Sequence, residues 1–135
     1  MIIRNTRQRD AIRNVFLSHV RPMSPAEILK HARGYAPKVG IATVYRNLKE
    51  LCDDGFLTAI DVPGVAGSYY EQASRSTPQH FLCTKCQKLY PARGRISAIE
   101  KMVPDGFELS THKVFLFGSC RECLKVPEMR AARGR

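Results

Sequence analysis

With 135 residues the chain can bury one core or two small ones and is too short for two large domains. No run approaches the roughly 18 apolar residues of a membrane span, and Met1-Ile2-Ile3-Arg4-Asn5-Thr6-Arg7 lacks the apolar stretch of a secretory signal, so a reduced, cytoplasmic setting is expected. Lys plus Arg number 22 against 12 Asp plus Glu; the resulting +10 suits a polyanion, but it divides evenly between residues 1–60 and 61–135 and does not locate the binding surface.

From Thr6 to His19 the apolar residues Ile12, Val15 and Phe16 recur at helical spacing beside Ala11, with Arg7, Arg9, Arg13 and Asn14 on the other face, which predicts an amphipathic helix. Ser24-Pro25-Ala26-Glu27 reads as a capping box with proline at the first helical position. The second helix should run to about Arg33 and stop at Gly34, taken as a left-handed terminator. A third helix buries Val44, Leu48 and Leu51 and ends at Asp53-Asp54-Gly55; Cys52 on it reads as a small, half-buried side chain. Phe56 to Ile60 and Ser68 to Gln72 are strands of a hairpin. Three helices followed by a hairpin is the order of a winged helix.

The pattern then changes. Ser74-Arg75-Ser76-Thr77-Pro78 is polar and reads as a hinge, within a linker over 74–79 that divides a unit at 1–73 from one at 80–124. The second unit offers His80-Phe81-Leu82, Lys88-Leu89-Tyr90, a short helix from about Ile96 to Met102, and a strand-forming stretch from Phe107 to Phe117. Residues 125–135 read as a basic, disordered tail.

Two identical spacings bracket that unit: Cys83-Thr84-Lys85-Cys86 and Cys120-Arg121-Glu122-Cys123. Two residues between thiolates let one tight turn aim both sulfurs at one ion, and two such turns complete the tetrahedron that Zn²⁺ prefers. The rival, disulfides or redox pairs, needs an oxidising compartment or a thioredoxin-like context that the sequence lacks. Four thiolates leave no open coordination position, so the zinc would be a structural clamp without catalytic use. The fold class expected is therefore α+β: an N-terminal winged helix and a small C-terminal α/β unit stapled by zinc.

If the third helix buries Val44, Leu48 and Leu51, its outer side presents Ala42, Thr43, Tyr45, Arg46 and Lys49. A hydroxyl, a ring able to lie on thymine methyls, an arginine for guanine or phosphate and a lysine for the backbone suit a DNA groove. The plainer alternative is a solvated face in which Arg46 pairs with Glu50. An enzyme is not expected: no nucleophile has a matched base and no glycine loop cradles phosphate.

Thr6-Arg7-Gln8-Arg9, Ser24-Pro25-Ala26-Glu27-Ile28, Gly40-Ile41-Ala42-Thr43-Val44-Tyr45-Arg46-Asn47-Leu48, His80-Phe81-Leu82-Cys83-Thr84-Lys85-Cys86 and Gly118-Ser119-Cys120-Arg121-Glu122-Cys123 together resemble the ferric uptake regulator family. The resemblance spans roughly residues 6–124 and implies a homodimeric, metal-responsive bacterial transcription factor, usually a repressor of palindromic operators, whose second unit dimerises. It also implies that Tyr45 and Arg46 contact bases and phosphates, with Arg7 and Arg9 near the DNA backbone or minor groove.

Members of that family usually carry a sensory metal site, and here its pattern is broken. Of the usual histidine-rich run only His80 remains after Thr77-Pro78-Gln79, while Pro22 and Pro91 stand where other ligands are common. Glu71, His80, Glu100 and His112 are left, and one compact site of His80, Glu100 and His112, with Glu71 as fourth ligand, would suit Fe²⁺, Mn²⁺ or Zn²⁺. The alternatives are a regulator gated by something other than metal, with structural zinc alone, or a zinc-stapled RNA-binding or assembly module whose affinity is purely electrostatic. His19 and His31 read as helix-end cations favoured by the helix dipole. Neither a membrane nor a small-molecule substrate other than metal ions is implied.

Overall fold

The computed structural model describes residues 2–95 and 97–125, with side chains from Thr6 onward. The chain divides into two compact units between Ser76 and Thr77. The expected tail from residue 126 onward lies outside the described residues, as does Ile96.

The first unit is a winged helix: α1 (Ile2–Ser18), α2 (Pro25–Ala32), α3 (Ile41–Asp53), β1 (Leu57–Ile60) and β2 (Tyr69–Gln72). Ser24 and Glu27 exchange the two bonds of the capping box at the start of α2. The buried set is the one the periodicity selects, namely Ile12, Val15 and Phe16 of α1, Ile28 and Ala32 of α2, and Val44, Leu48 and Leu51 of α3, packed with Met23, Val39 and Leu57. The wing strands pair antiparallel from Leu57↔Gln72 to Ile60↔Tyr69. Met23 adds a one-residue bridge to Tyr70, with both backbone bonds made at 2.9 and 2.8 Å, so the wing begins between α1 and α2. An isolated methionine between Pro22 and Ser24-Pro25 carries no strand signal, and that pairing was not legible.

Two local expectations are corrected. Helix α1 starts four residues before Thr6, and α2 does not end on a left-handed Gly34, because that residue keeps a negative φ. Gly34, Tyr35 and Ala36 instead bond back to His31 and Ala32, so the helix tapers through turns. The left-handed terminator belongs to α3. There Gly55 has φ 85°, its N–H reaches Cys52 O at 3.0 Å, and the Phe56 N–H reaches Leu51 O at 3.0 Å, which is a Schellman motif.

His19 and His31 lie ring to ring, 4.3 Å between centroids. Burial, then the neighbouring His19, pushes the His31 pKa below its ordinary 6.5, with Glu27 opposing and Arg21 and Lys30 adding to the fall. The expected helix-end cation is therefore disfavoured. A lowered folded pKa means that the unfolded chain takes up the proton first, so the stability that neutral His31 contributes is whole above pH 6.5 and is lost on acidification through it. Melting temperature is expected to drop between about pH 7.5 and about pH 5.5, and His31→Gln to flatten that drop. An unchanged pH slope in the variant would contradict it.

The second unit contains β3 (Gln79–Cys83), β4 (Leu89–Pro91), β5 (Val114–Gly118) and α4 (Arg121–Leu124), in a sheet of order β4-β3-β5. Strands β3 and β4 are antiparallel, whereas β3 and β5 run parallel from Gln79↔Val114 to Cys83↔Gly118. The expected helix near 96–102 is only a single 3₁₀ turn, Glu100–Met102, and the stretch from Phe107 to Lys113 stays outside the sheet. At Gly118 an added Cβ would lie 2.8 Å from the tip of the Phe81 ring, so any larger residue would have to displace that half-buried ring.

Among the described residues of this unit the buried apolar side chains other than cysteines are Leu82 and Leu89. At about 1.5–3 kcal/mol each they cannot offset the ordering of some tens of residues at about 1–2 kcal/mol apiece. Something beyond aliphatic burial must hold it.

Candidate metal centre and nucleic-acid interface

Cys83 is the last residue of β3. The chain then turns sharply, with the Gln87 N–H on Cys83 O at 2.8 Å and Gln87 itself at φ 64°. Cys120 caps α4 and Cys123 sits inside it. All four sulfurs lie within 4.8 Å of one another, at 3.6 Å for Cys83–Cys123 and 3.8 Å for Cys86–Cys120. A disulfide would need about 2.05 Å. Tetrahedral zinc with Zn–S bonds of about 2.3 Å sets its sulfurs about 3.8 Å apart, so the cluster has the size of a four-thiolate zinc site.

The electrostatics ask for a cation. Burial raises the Cys83 thiol, but the N–H groups of Cys86, Cys120 and Lys85 outweigh it and hold its pKa at about 6. Two of these N–H groups point at the Cys83 sulfur from 3.5 and 3.3 Å. Burial and then the other three sulfurs push Cys123 up to about 12. Burial raises Cys120 too, but the Cys123 N–H and the Tyr90 hydroxyl outweigh it and lower its pKa, whereas burial pushes Cys86 up. The protein thus prepares two of the thiolates itself, and the other two must be ionised by a bound ion.

The expected sensory residues are not gathered in this way. His80, on β3, is buried with its ring stacked on Phe115 at 6.0 Å, the strand pairing having placed it opposite that residue. Glu100 and His112 border one open cavity of about 720 Å³ together with Arg93 and Arg95, and His80 does not border it. Among the described residues the four cysteines are the only group of three or more His, Cys, Asp or Glu side chains brought to metal-binding distance. His80, Glu100 and His112 are thus not gathered at metal-binding distance of one another. Glu71 is buried in β2, in the first unit. Cys52 is half-buried with its thiol pushed up by burial and then by Asp53, which suits a packing role.

Helix α3 turns Ala42, Tyr45, Arg46 and Lys49 to solvent, with Tyr45 54 % exposed and Thr43 half-buried. The alternative of an Arg46–Glu50 pair does not occur. Glu50 is taken by Arg9 of α1 at 2.6 Å, while Arg46 leans on the Thr43 hydroxyl at 3.4 Å. Arg9 stays about half exposed in that pair. Asn47, which the sequence reading passed over, is buried and donates to Thr43 O at 2.8 Å. Its spacing of three from Val44 and four from Leu51 puts it on the inner stripe, a signal that could have found it. Arg7 is exposed and borders a small cleft with Lys38.

Residues 1–117 match the sequence model of the Ferric uptake regulator family. The chain is 29% identical over 127 residues to the Peroxide operon regulator of Bacillus subtilis, covering 91% of this chain and 86% of the relative. It is 30% identical over 131 residues to the Peroxide-responsive repressor PerR of Staphylococcus epidermidis, covering 90% and 81%. The structure of the Helicobacter pylori ferric uptake regulator Fur, described as having three functional metal binding sites, superposes with a TM-score of 0.67 at 25% identity over 89% of this chain and 81% of that one. The family match covers the whole winged helix and most of the second unit, and the chain belongs to the ferric uptake regulator family of DNA-binding transcriptional regulators.

Proposed function

We propose that this protein reads palindromic operators as a cytoplasmic homodimer, with Ala42, Thr43, Tyr45, Arg46 and Lys49 of α3 in the major groove and Arg7 near the backbone. The observation that carries the reading is the division of α3: Val44, Asn47, Leu48 and Leu51 hold it to the core while every candidate reader except half-buried Thr43 is exposed. Zinc on Cys83, Cys86, Cys120 and Cys123 would hold the second unit together. Homodimerisation is supported by β5, an edge strand with Leu116 and Phe117 about half exposed, and by exposed Met102 and Phe107. No described helix is long and apolar enough to cross a membrane.

The finer proposal is repression gated by a second divalent ion, Fe²⁺, Mn²⁺ or Zn²⁺, on His80 and His112 with Glu71 or Glu100. Relatives named for peroxide response and ferric uptake support it. A second reading, a regulator with structural zinc that senses something else, is favoured by the separation of His80 from the Glu100–His112 cavity and by Pro22, Pro78 and Pro91. Titrating each metal into wild type, His80→Ala and His112→Ala with operator present decides between them. Metal gating predicts that wild type gains affinity and that both variants lose the response with the cysteine zinc retained. An identical response in all three, or none in wild type, rejects these ligands.

A further inference from the structure

We infer that Arg9 and Glu50 are positioning residues for DNA reading: their ion pair, continued through Asn47, fixes the roll of α3 and so the aim of Thr43, Tyr45 and Arg46. The inference rests on the proposed role of α3. Arg9 Nη2 donates to Glu50 Oε2 at 2.6 Å, and its Nε points at Asn47 Oδ1 from 3.5 Å. Asn47 Nδ2 donates to Thr43 O at 2.8 Å, and the Thr43 hydroxyl meets Arg46 at 3.4 Å. One guanidinium on α1 thereby grips α3 at two successive turns on the side between its buried stripe and its outer face.

Roll matters more than stability here. The apolar contacts of Val44, Leu48 and Leu51 are non-directional and tolerate a small rotation. A roll of about 15° moves atoms about 6 Å from the helix axis by about 1.6 Å, more than the width of the hydrogen-bonding range. The Arg9–Glu50 pair is roughly half exposed, so it adds little to stability, yet its planar fork is directional. An acid on a helix offered to a polyanion also repels phosphate, and Arg9 neutralises it in place.

This assignment and the simple electrostatic one make opposite predictions. If Glu50 were only a surface acid, Glu50→Gln would tighten binding to all DNA alike. If Arg9 touched phosphate, Arg9→Gln would lower the salt slope by about 0.9 and weaken all sequences in parallel. Positioning predicts that each variant, as zinc-loaded full-length protein, loses about fivefold or more in the ratio of operator to scrambled-duplex affinity, with the salt slope unchanged. The double variant should lose no more than the worse single one, since the pair acts as a unit. Arg9→Lys, which keeps the charge and removes the fork, should lose the ratio too, and covers the case in which Arg9→Gln melts early. An unchanged ratio in Glu50→Gln and Arg9→Lys overturns the inference, as does a slope reduced by about 0.9 in Arg9→Gln. Absence of operator preference in wild type would instead refute the DNA-reading role on which it stands.

Discussion

Cys83→Ser is expected to leave the chain without zinc and its second unit unfolded, while the winged helix keeps its own melting transition. The expectation follows from the small core around Leu82 and Leu89, set against a structural zinc that contributes about 10–16 kcal/mol of apparent binding energy. Serine removes the sulfur that three N–H groups hold at a pKa of about 6, the ligand most ready to bind metal at neutral pH. Zinc content by atomic emission and amide exchange along β3 and β5 give the readout. A zinc-free variant with both strands still protected would contradict the clamp. A strong chelator added to wild type should reproduce the variant, and acidification should promote the loss, since protons compete for the sulfurs.

Tyr45→Ala should lower discrimination between operator and altered sites by about 1–3 kcal/mol, concentrated at one or two base pairs, because a ring against thymine methyls reads sequence. Lys49→Ala, one helical turn along, should weaken all sequences alike and reduce the salt slope by about 0.9. The core that supports α3 contains neither residue, so both variants should melt near wild type. Equal loss of specific and non-specific affinity for Tyr45→Ala would remove it from the reading face. Affinity for single-base variants of the operator, measured at two salt concentrations, separates the two behaviours.

Local rules carried most of the first unit. Ser24 with Glu27, the stripe Val44, Leu48 and Leu51, and Gly55 after Asp53 each encode their structure within a few residues, and periodicity transmits that to the fold. What was missed depends on partners distant in sequence. Met23 pairs with Tyr70 across the chain, and Arg9 meets Glu50 from another helix. The second unit was legible in its cysteines, whose spacing is itself the chemistry, and less so between them. There the apolar stretch from Phe107 yields only β5, since strand formation needs β3 as a neighbour and β3 begins at Gln79 opposite Val114. The sensory residues were the least legible. Single histidines and carboxylates have no spacing rule, and nothing local in the sequence shows that the ring of His80 stacks on Phe115.

The central claim is that α3 reads sequence in a zinc-stapled dimer. It is tested most directly by enriching duplexes from a random pool with the zinc-loaded protein and comparing affinity for the winner with that for its scrambled version. The expected winner is an inverted repeat bound by two chains at least about a thousandfold more tightly than the scramble. Equal affinities with equal salt slopes would mean that the charge of +10 is the whole of the binding, and would contradict the account.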